Sequence, residues 1–273
     1  MKYYYQNEVI KMKKFAKIAA LVLAVALVVA AFAACGGAKE PASEEKKTLI
    51  MATNAAFPPY EFKDGENFAG IDVEIATAIA EKLGMELQIM DVEFGTIVGG
   101  VQTGKFDMGM AGMTVTEDRL KSVNFTESYA KGVQSIIVKE GSAIASVDDI
   151  KADGSMKIGV QQDTTGDIYS SDTPENGGFN EENVVRFKTG ADAVQALVSD
   201  KVDLVIIDNE PAKSFVASNE GLKILDTAYV EEDYAICVAK ENTELLDSIN
   251  GALAELTADG TVKNIIEKYI PAE

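Results

Sequence analysis

Polar and aromatic residues stand at the ends of several short apolar runs, where the chain would leave a buried strand. They are Asn54 and Phe57 after run 49–52, Gly112 and Thr114 after 108–111, Thr164 and Thr165 after 157–160, and Asp208 after 204–207. An amide, hydroxyls and a carboxylate can hydrogen-bond a polar ligand, and aromatic rings can cover its apolar part. Because ligands of open α/β sheets bind beyond the carboxyl ends of the strands, these residues are the first candidates for a binding site.

The residue types that are missing restrict the chemistry of such a site. The chain of 273 residues has no His, which excludes Ser-His-Asp and Cys-His nucleophile pairs and imidazole metal sites. Chemistry based on carboxylates alone stays open. Asp163 with Asp167, and the acidic run 231–233, do not have the alternating ligand spacing of a calcium loop. We therefore expect solvated surface at both places, and no bound metal or cofactor in the protein.

The charge balance also restricts the partners. The chain carries 44 Asp and Glu against 25 Lys and Arg, a formal net charge of −19. A nucleic-acid backbone is recognised by clustered basic residues, so this excess of acid argues against nucleic acid as a partner. The apolar content of 47% and the length are sufficient for a globular protein with a sizeable core.

Two stretches of the chain echo each other at an offset of 96 residues. Residues 101–111 and 197–207 both end a helical pattern, turn through a Lys, place Asp107 or Asp203 next, and enter an apolar run. Each stretch is preceded by an opening apolar run followed by polar residues. The repeat predicts two similar α/β lobes, whose strand ends would face each other across a cleft.

Helices between the strands can be placed from capping and periodicity. Asp72 is predicted to cap a helix that ends at Gly84, and Thr189 to open another, with Asp192 three residues on. Near the end of the chain, Leu246, Ile249, Leu253 and Leu256 form one apolar face, Gly260 breaks the pattern, and a last helix runs from Thr261 to Tyr269 before Pro271. Cys237 lies in an apolar run and is predicted to be a buried core thiol in a strand.

The first 34 residues are predicted to be a signal peptide. A basic start with four Lys between residues 11 and 17 is followed by 17 uncharged residues, 18–34, ending in small ones. The sequence Phe-Ala-Ala-Cys at 32–35 resembles a bacterial lipobox, which implies lipidation of Cys35. Residues 35–47 would then be the lipidated Cys and a polar, flexible tether. A simple signal or an uncleaved anchor is the alternative, and Met12 is an alternative start.

Four stretches, in one order, carry a resemblance to a known family. They are 70–83 (Gly-Ile-Asp-Val-Glu-Ile-Ala-Thr-Ala-Ile-Ala-Glu-Lys-Leu), 101–119 with Ala-Gly-Met-Thr-Val-Thr-Glu-Asp-Arg at its end, 124–129 (Asn-Phe-Thr-Glu-Ser-Tyr), and 253–269 with Asp-Gly-Thr inside it. Together they resemble the family 3 extracellular solute-binding proteins of polar-amino-acid ABC transporters, of the lipoprotein type. The resemblance covers 48–273.

The resemblance implies an α/β, two-lobed, periplasmic-binding-protein-like fold of type II. Lobe 1 would hold 48–130 and 231–273, and lobe 2 would hold 131–230. Two crossing strands near 129–133 and 229–234 would form the hinge, and the ligand would lie in the cleft that closes by hinge bending.

The same resemblance implies roles for the site residues. Arg119 would hold the α-carboxylate of the ligand, because its guanidinium fork matches a carboxylate, and Asp208 would accept the α-ammonium from the other lobe. The other implied contacts are Thr114 and the backbone N–H groups around Gly112 on the carboxylate, Thr165 on the carboxylate from lobe 2, Phe57 and Phe94 on either side of the ligand side chain, and Asn54 at its tip. Without the resemblance, Arg119 next to Glu117 and Asp118 would be a solvated ion pair, and Asp208 a cap of the next turn.

The function implied is that of a binding protein and not an enzyme. A lipid-anchored monomer at the outer face of the cytoplasmic membrane, extracellular or periplasmic, would capture a polar L-amino acid and deliver it to the membrane permease of an ABC importer. The alternative is a periplasmic enzyme similar to cyclohexadienyl dehydratase on the same fold, with Asp208 or Glu210 as the acid–base group. Asn54 stands where relatives that hold basic ligands often have an acid, so we expect a neutral polar side chain, such as that of glutamine, ahead of a basic one.

Overall fold

The computed structural model of the chain describes residues 47–152, 154–226 and 230–271. The predicted signal peptide 1–34, the lipidation site Cys35, the tether up to residue 46 and the hinge residue Tyr229 lie outside the described residues. Among the described residues, none of the helices has both the length and the apolar character needed to cross a membrane.

The elements alternate between short strands and helices, as the apolar runs predict. The strands are β1 (Thr48–Thr53), β2 (Ala56–Phe57), β3 (Glu61–Asp64), β4 (Asn67–Ala69), β5 (Glu86–Asp91), β6 (Met108–Gly109), β7 (Val123–Phe125), β8 (Ala130–Lys139), β9 (Ile158–Gln161), β10 (Val184–Phe187), β11 (Leu204–Asp208), β12 (Leu222–Ile224), β13 (Val230–Tyr234) and β14 (Cys237–Ala239). The α-helices are α1 (Ile71–Lys82), α2 (Ile97–Gln102), α3 (Glu117–Ser122), α4 (Val147–Ala152), α5 (Thr165–Ser171), α6 (Gly190–Val198), α7 (Asn209–Ser218), α8 (Thr243–Ala258) and α9 (Thr261–Tyr269).

Two main sheets carry the fold. The first has the order β5-β1-β6-β14-β7, and the second has the order β10-β9-β11-β8-β12, with β13 also paired to β8. Each sheet contains a parallel part: β1 pairs with β5 and β6 in the first sheet, and β9 pairs with β10 and β11 in the second. A third, small sheet, β2-β3-β4, follows β1. These sheets with helices confirm the predicted two-lobed α/β fold of type II.

Two antiparallel strands connect the two sheets. The chain leaves the first sheet at β7 and enters the second through β8, and it returns through β13 to β14. Tyr234 pairs with Ala130 and Glu232 with Gly132 in this crossing. A Cβ on Gly132 would lie 2.5 Å from the ring of Tyr234, so only glycine lets that ring cross the partner strand. These are the strands predicted for the hinge; the exact lobe boundaries at 130/131 and 230/231 stay a prediction.

The internal repeat has a physical reason. The N–H of Ile50 in β1 donates to Oδ2 of Asp107 at 2.7 Å, and the N–H of Asp107 donates back to the carbonyl of Ile50 at 2.9 Å. In the second sheet Lys157 and Asp203 make the same pair of bonds, at 2.7 and 2.8 Å. Each Asp therefore clamps the turn before its strand to the opening strand of the same sheet.

The helix predictions were mostly confirmed. Thr189 is the N-cap of α6 and accepts a hydrogen bond from the N–H of Asp192, and α8 and α9 are separated at Gly260 as predicted. The cap predicted at Asp72 was wrong. Helix α1 follows Gly70 and begins at Ile71, and the side chain of Asp72 is fully buried inside its first turn. Cys237 is buried in β14, as expected.

The clamp at Asp107 can be tested by a matched pair of substitutions. Asp107→Ala removes the acceptor for the Ile50 N–H and should lower the free energy of unfolding by about 1–3 kcal/mol. Asp107→Asn keeps an acceptor oxygen at the same place and should cost clearly less. Urea unfolding followed by circular dichroism measures both. Equal losses for the two variants would show that the acceptor does not stabilise the turn.

Candidate functional site

The predicted site residues meet in one cleft between the two sheets. All eight line it: Asn54, Phe57, Phe94, Gly112, Thr114, Arg119, Thr165 and Asp208. Glu61, Ala111, Gln161 and Thr164 line it as well. The cavity that these residues leave between them is about 10 Å³, or about 310 Å³ when all space not filled by atoms, open solvent included, is counted.

Arg119 is held in the cleft by bonds to both lobes. It lies in α3, whose N-cap Thr116 accepts the Arg119 N–H. Its Nη1 donates to the carbonyl of Thr114 at 2.7 Å, and its Nη2 donates to the carbonyl of Asp163 in the other lobe at 3.1 Å. The guanidinium carbon stands 5.2 Å from the centre of the Phe94 ring. With 9% of its surface exposed, Arg119 is a buried cation and not a solvated surface ion pair.

Asp208 is the acid that faces this cation from the second lobe. It ends β11 and is 7% exposed. Its Oδ1 accepts the hydroxyl proton of Tyr234, which reaches across from the hinge strand, so the side chain binds the hinge rather than capping α7. Burial, and then the negative charge of Glu232, raise the pKa of Asp208 to about 7.

A chain of hydrogen bonds joins the predicted carboxylate contacts of the two lobes. The Thr114 hydroxyl donates to Oε2 of Glu232 at 3.1 Å. The Gln134 amide nitrogen donates to the same Oε2 at 3.0 Å and to the Thr165 hydroxyl at 3.3 Å. Glu232 is 5% exposed, so the prediction that it is solvated surface was wrong.

The acidic pair at the start of α5 also differs in part from expectation. Asp163 is exposed, as predicted, but Asp167 is buried. Its Oδ2 accepts the N–H of Asp163 at 3.0 Å, and its carboxylate binds the Nε of Arg186 at 2.9 Å. Asp167 thus anchors the loop whose carbonyl receives Arg119. Across the described residues, no cluster of three or more His, Cys, Asp or Glu is arranged to hold a metal ion.

The backbone N–H of Gly112 is hydrogen-bonded within the protein. Its N–H donates to Oδ2 of Asp72 at 2.8 Å, and the Tyr129 hydroxyl donates to the same carboxylate at 2.8–2.9 Å. The Gly112 N–H is therefore used within the protein, and the predicted N–H contact to a ligand carboxylate has to come from another backbone group. Gly112 has φ 51°, and a Cβ there would lie 2.8 Å from the Phe57 ring.

The far end of the cleft contains polar groups that the sequence did not assign. The Asn54 amide donates to the Val92 carbonyl and accepts from Gln161 of the other lobe, both at 2.8 Å. Glu61 in β3 is 1% exposed, and among the described residues its Oε2 has no hydrogen-bond partner. Burial, and then the Asp72 charge, raise the pKa of Glu61 well above its ordinary value.

The two missed residues differ in how they could have been found. Gln161 is the last residue of β9, so the rule of strand ends that selected the other candidates applies to it as well. Glu61 lies in the short hairpin of the small sheet, and nothing in its immediate sequence distinguishes it from an exposed acid.

The structure has its lobes closed on each other. Besides the Arg119 and Asn54 bonds, Lys188 of the second lobe pairs with Glu93 of the first at 2.5 Å. Gly95 faces Asp163 so closely that a Cβ would lie 2.0 Å from its Oδ2. Two groups that line the cleft, Arg119 and Asn54, are therefore among the groups that hold it shut.

Comparisons with known proteins show the family of the chain. The family model described as bacterial extracellular solute-binding proteins, family 3, matches residues 49–272. The chain is 31% identical over 255 residues to the arginine-binding extracellular protein ArtP of Bacillus subtilis (strain 168), covering 93% of this chain and 98% of that protein.

Solved structures are similar over most of the chain. An ancestral arginine-binding protein bound to glutamine has a TM-score of 0.76 and 38% identity, over 83% of this chain and 99% of its own. The ancestral amino acid-binding protein AncCDT-1, a precursor of cyclohexadienyl dehydratase, has a TM-score of 0.73 and 30% identity, over 81% of this chain and 95% of its own.

The buried acids predict how stability depends on pH. The pKa values of Asp208 and Asp72 are raised in the folded state from 3.8 to about 7 and about 6. At pH values between the ordinary pKa of 3.8 and the raised pKa values, the folded state binds more protons than the unfolded state. The free energy of unfolding should therefore fall as the pH rises from about 4 to about 7. Urea unfolding of the ligand-free protein across that window measures this.

The large net negative charge of the protein should also lower the free energy of unfolding as the pH rises. Asp208→Asn is therefore the control that isolates the contribution of Asp208. The substitution removes the share of Asp208 and should flatten the upper part of the pH profile. A wild-type stability that rises with pH, or an unchanged slope in the variant, would contradict the role given to Asp208.

Proposed function

The chain belongs to the bacterial extracellular solute-binding proteins of family 3, and on that basis we propose that it captures an amino acid in its cleft and delivers it to the permease of an ABC importer. The observation that carries this proposal is the placement of buried Arg119 and buried Asp208 in one cleft, on opposite lobes. Arg119 would bind the α-carboxylate and Asp208 the α-ammonium.

A zwitterion would stabilise the closed state because each of its charges is paired by a different lobe. Each desolvated charged hydrogen bond contributes about 1.5–3 kcal/mol. Nη2 of Arg119 reaches only a carbonyl oxygen of the second lobe, so a ligand carboxylate would offer this cation a better partner.

The side-chain end of the cleft supports a cationic ligand. Asn54 alone favoured a neutral side chain, but the structure adds Glu61, a buried acid with one unpaired oxygen, and Gln161. A guanidinium offers five donors to carboxylate and amide oxygens, and its charge would offset the cost of ionising Glu61. We therefore propose arginine ahead of glutamine, in agreement with the arginine-binding relatives.

The place of action is proposed from the sequence and the family. A lipid on Cys35 and the tether up to residue 47 would hold a monomeric protein at the outer face of the cytoplasmic membrane. The matched family is one of extracellular proteins, which supports this side of the membrane.

A dehydratase is the second candidate. The similarity to AncCDT-1 favours it, as does a carboxyl group with a pKa raised to about 7 in the cleft, which suits a general acid. The binding function is preferred because Asp208 has a sufficient role as the ammonium partner. Formation of an aromatic product from a cyclohexadienyl substrate would favour the enzyme.

The binding function is tested by melting the protein against all twenty amino acids after unfolding and refolding it to remove carried ligand. A ligand at a thousand times its dissociation constant adds about 4 kcal/mol, which is about 8–16 °C for a chain of this size. Arg119→Ala and Asp208→Asn should each weaken binding at least about a hundredfold, because they leave a buried charge unpaired. Lys121→Ala on the exposed side of α3 is the control. Unchanged affinity in both site variants would refute the site.

The identity of the side chain is tested by Glu61→Gln. Loss of one charged hydrogen bond should weaken arginine binding about 10- to 100-fold, with little effect on glutamine. Glu66→Gln, in the exposed turn after β3, removes the same charge without reaching the cleft. Calorimetric titration of both ligands gives the comparison. An equal effect on the two ligands would contradict the cationic side chain and leave the binding function standing.

A further inference from the structure

One buried acid lies behind the threonine hydroxyl groups of the cleft. Glu232 belongs to the hinge strand β13, and its neighbours Glu231 and Asp233 are exposed while Glu232 is buried. Its Oε2 accepts from the Thr114 hydroxyl and from the Gln134 amide. Both donors are directed at one oxygen of the Glu232 carboxyl group.

The direction of these bonds distinguishes the two threonines of the site. The Thr114 hydroxyl has one proton, and it is donated to Glu232. The Gln134 nitrogen donates to Thr165, so the Thr165 oxygen is the acceptor and its own proton remains for another partner. A ligand carboxylate would find the Thr165 proton ready, whereas it would have to compete with Glu232 for the Thr114 proton.

The same acid acts on Arg119. The guanidinium donates to two neutral carbonyl oxygens, of Thr114 and Asp163. Burial lowers the pKa of Arg119, and among nearby charges Glu232 opposes that lowering most strongly, ahead of Asp208. Glu232 therefore supplies negative charge to the cation that would hold the ligand carboxylate.

We propose that Glu232 is the resident counter-charge of the carboxylate subsite, and that it determines how strongly the cleft prefers a ligand with a free α-carboxylate over the same ligand without one. It competes with the incoming carboxylate for the Thr114 hydroxyl and for Arg119. It is thus a positioning and specificity residue, and the inference rests on the proposed amino-acid binding.

The position of Glu232 gives this competition a structural consequence. Thr114 belongs to the first lobe and Thr165 to the second, and Glu232 with Gln134 links them through the two crossing strands. Glu232 thereby compensates the buried Arg119 cation, at the cost of a weaker attraction between Arg119 and the ligand carboxylate.

The test compares each amino acid with its carboxamide. L-arginine with L-argininamide, and L-glutamine with L-glutaminamide, are titrated calorimetrically at a pH of about 6, where the α-amino groups are protonated. Within a pair the ammonium and the side chain are the same, so their contributions cancel in the ratio of the two dissociation constants. That ratio isolates the carboxylate, and a purely structural role of Glu232 would not change it.

Glu232→Gln keeps the shape and removes the charge. It should increase the preference for the free carboxylate about tenfold, which is about 1.4 kcal/mol. Glu231→Gln, which removes the same charge from the exposed face of the same strand, should leave the ratio unchanged. If Glu232→Gln does not fold, Glu232→Met is a neutral variant of similar length for the same titrations.

The outcomes separate the two levels of the proposal. An unchanged ratio in the Glu232 variants, or equal weakening of acid and amide, overturns the role of Glu232 while wild-type binding keeps the proposed function. The same rise in Glu231→Gln would reduce the effect to general surface charge and also overturn it. Wild-type protein that binds none of the four probes overturns the proposed function itself, and this inference with it.

Discussion

The placement of ionic groups inside a closed cleft is the constraint on which the rest of the structure depends. Removing a charge from water costs several kcal/mol unless another charge or well-aimed dipoles replace the water. Within the described part of the chain, Arg119 is a buried cation among several buried acids, and each of these charges is compensated differently. Arg119 receives two carbonyl dipoles and the field of Glu232, Asp72 receives an amide and a hydroxyl proton, and Asp208 receives the Tyr234 hydroxyl.

The fold supplies these partners from parts of the chain that are far apart in sequence. Asp72 comes from the first turn of α1, Tyr129 from the approach to one crossing strand, and Tyr234 from the other. Gly132 gives Tyr234 the space to pass between the crossing strands and reach Asp208. The hinge strands therefore connect the two sheets and also supply hydrogen-bond donors to the buried acids of the cleft.

The sequence was sufficient for the architecture and for most of the cleft, because both follow from local patterns. The Asp107 and Asp203 repeat reflects a clamp made twice, and the carboxyl ends of strands identified the polar residues that meet in the cleft. It failed at Asp72, Asp167 and Glu232, which were predicted to be a helix cap or solvated surface and are buried. An acidic residue in a sequence is predicted to be exposed unless its partners in the folded structure are known. These partners are distant in sequence: Gly112 for Asp72, Arg186 for Asp167, and Thr114 for Glu232.

The three misjudged acids have a common place in the structure. Each one stands directly behind a group of the cleft: Asp72 behind Gly112, Asp167 behind the Asp163 loop, and Glu232 behind Thr114. If the cleft recognises a small zwitterion as proposed, its donors and acceptors need to be fixed in direction before the ligand arrives. Since buried carboxylates accept strong hydrogen bonds and resist rotation once paired, they are suited to fix those donors. The acidic residues of this chain therefore include buried ones that orient the groups of the cleft, in addition to those exposed on the surface.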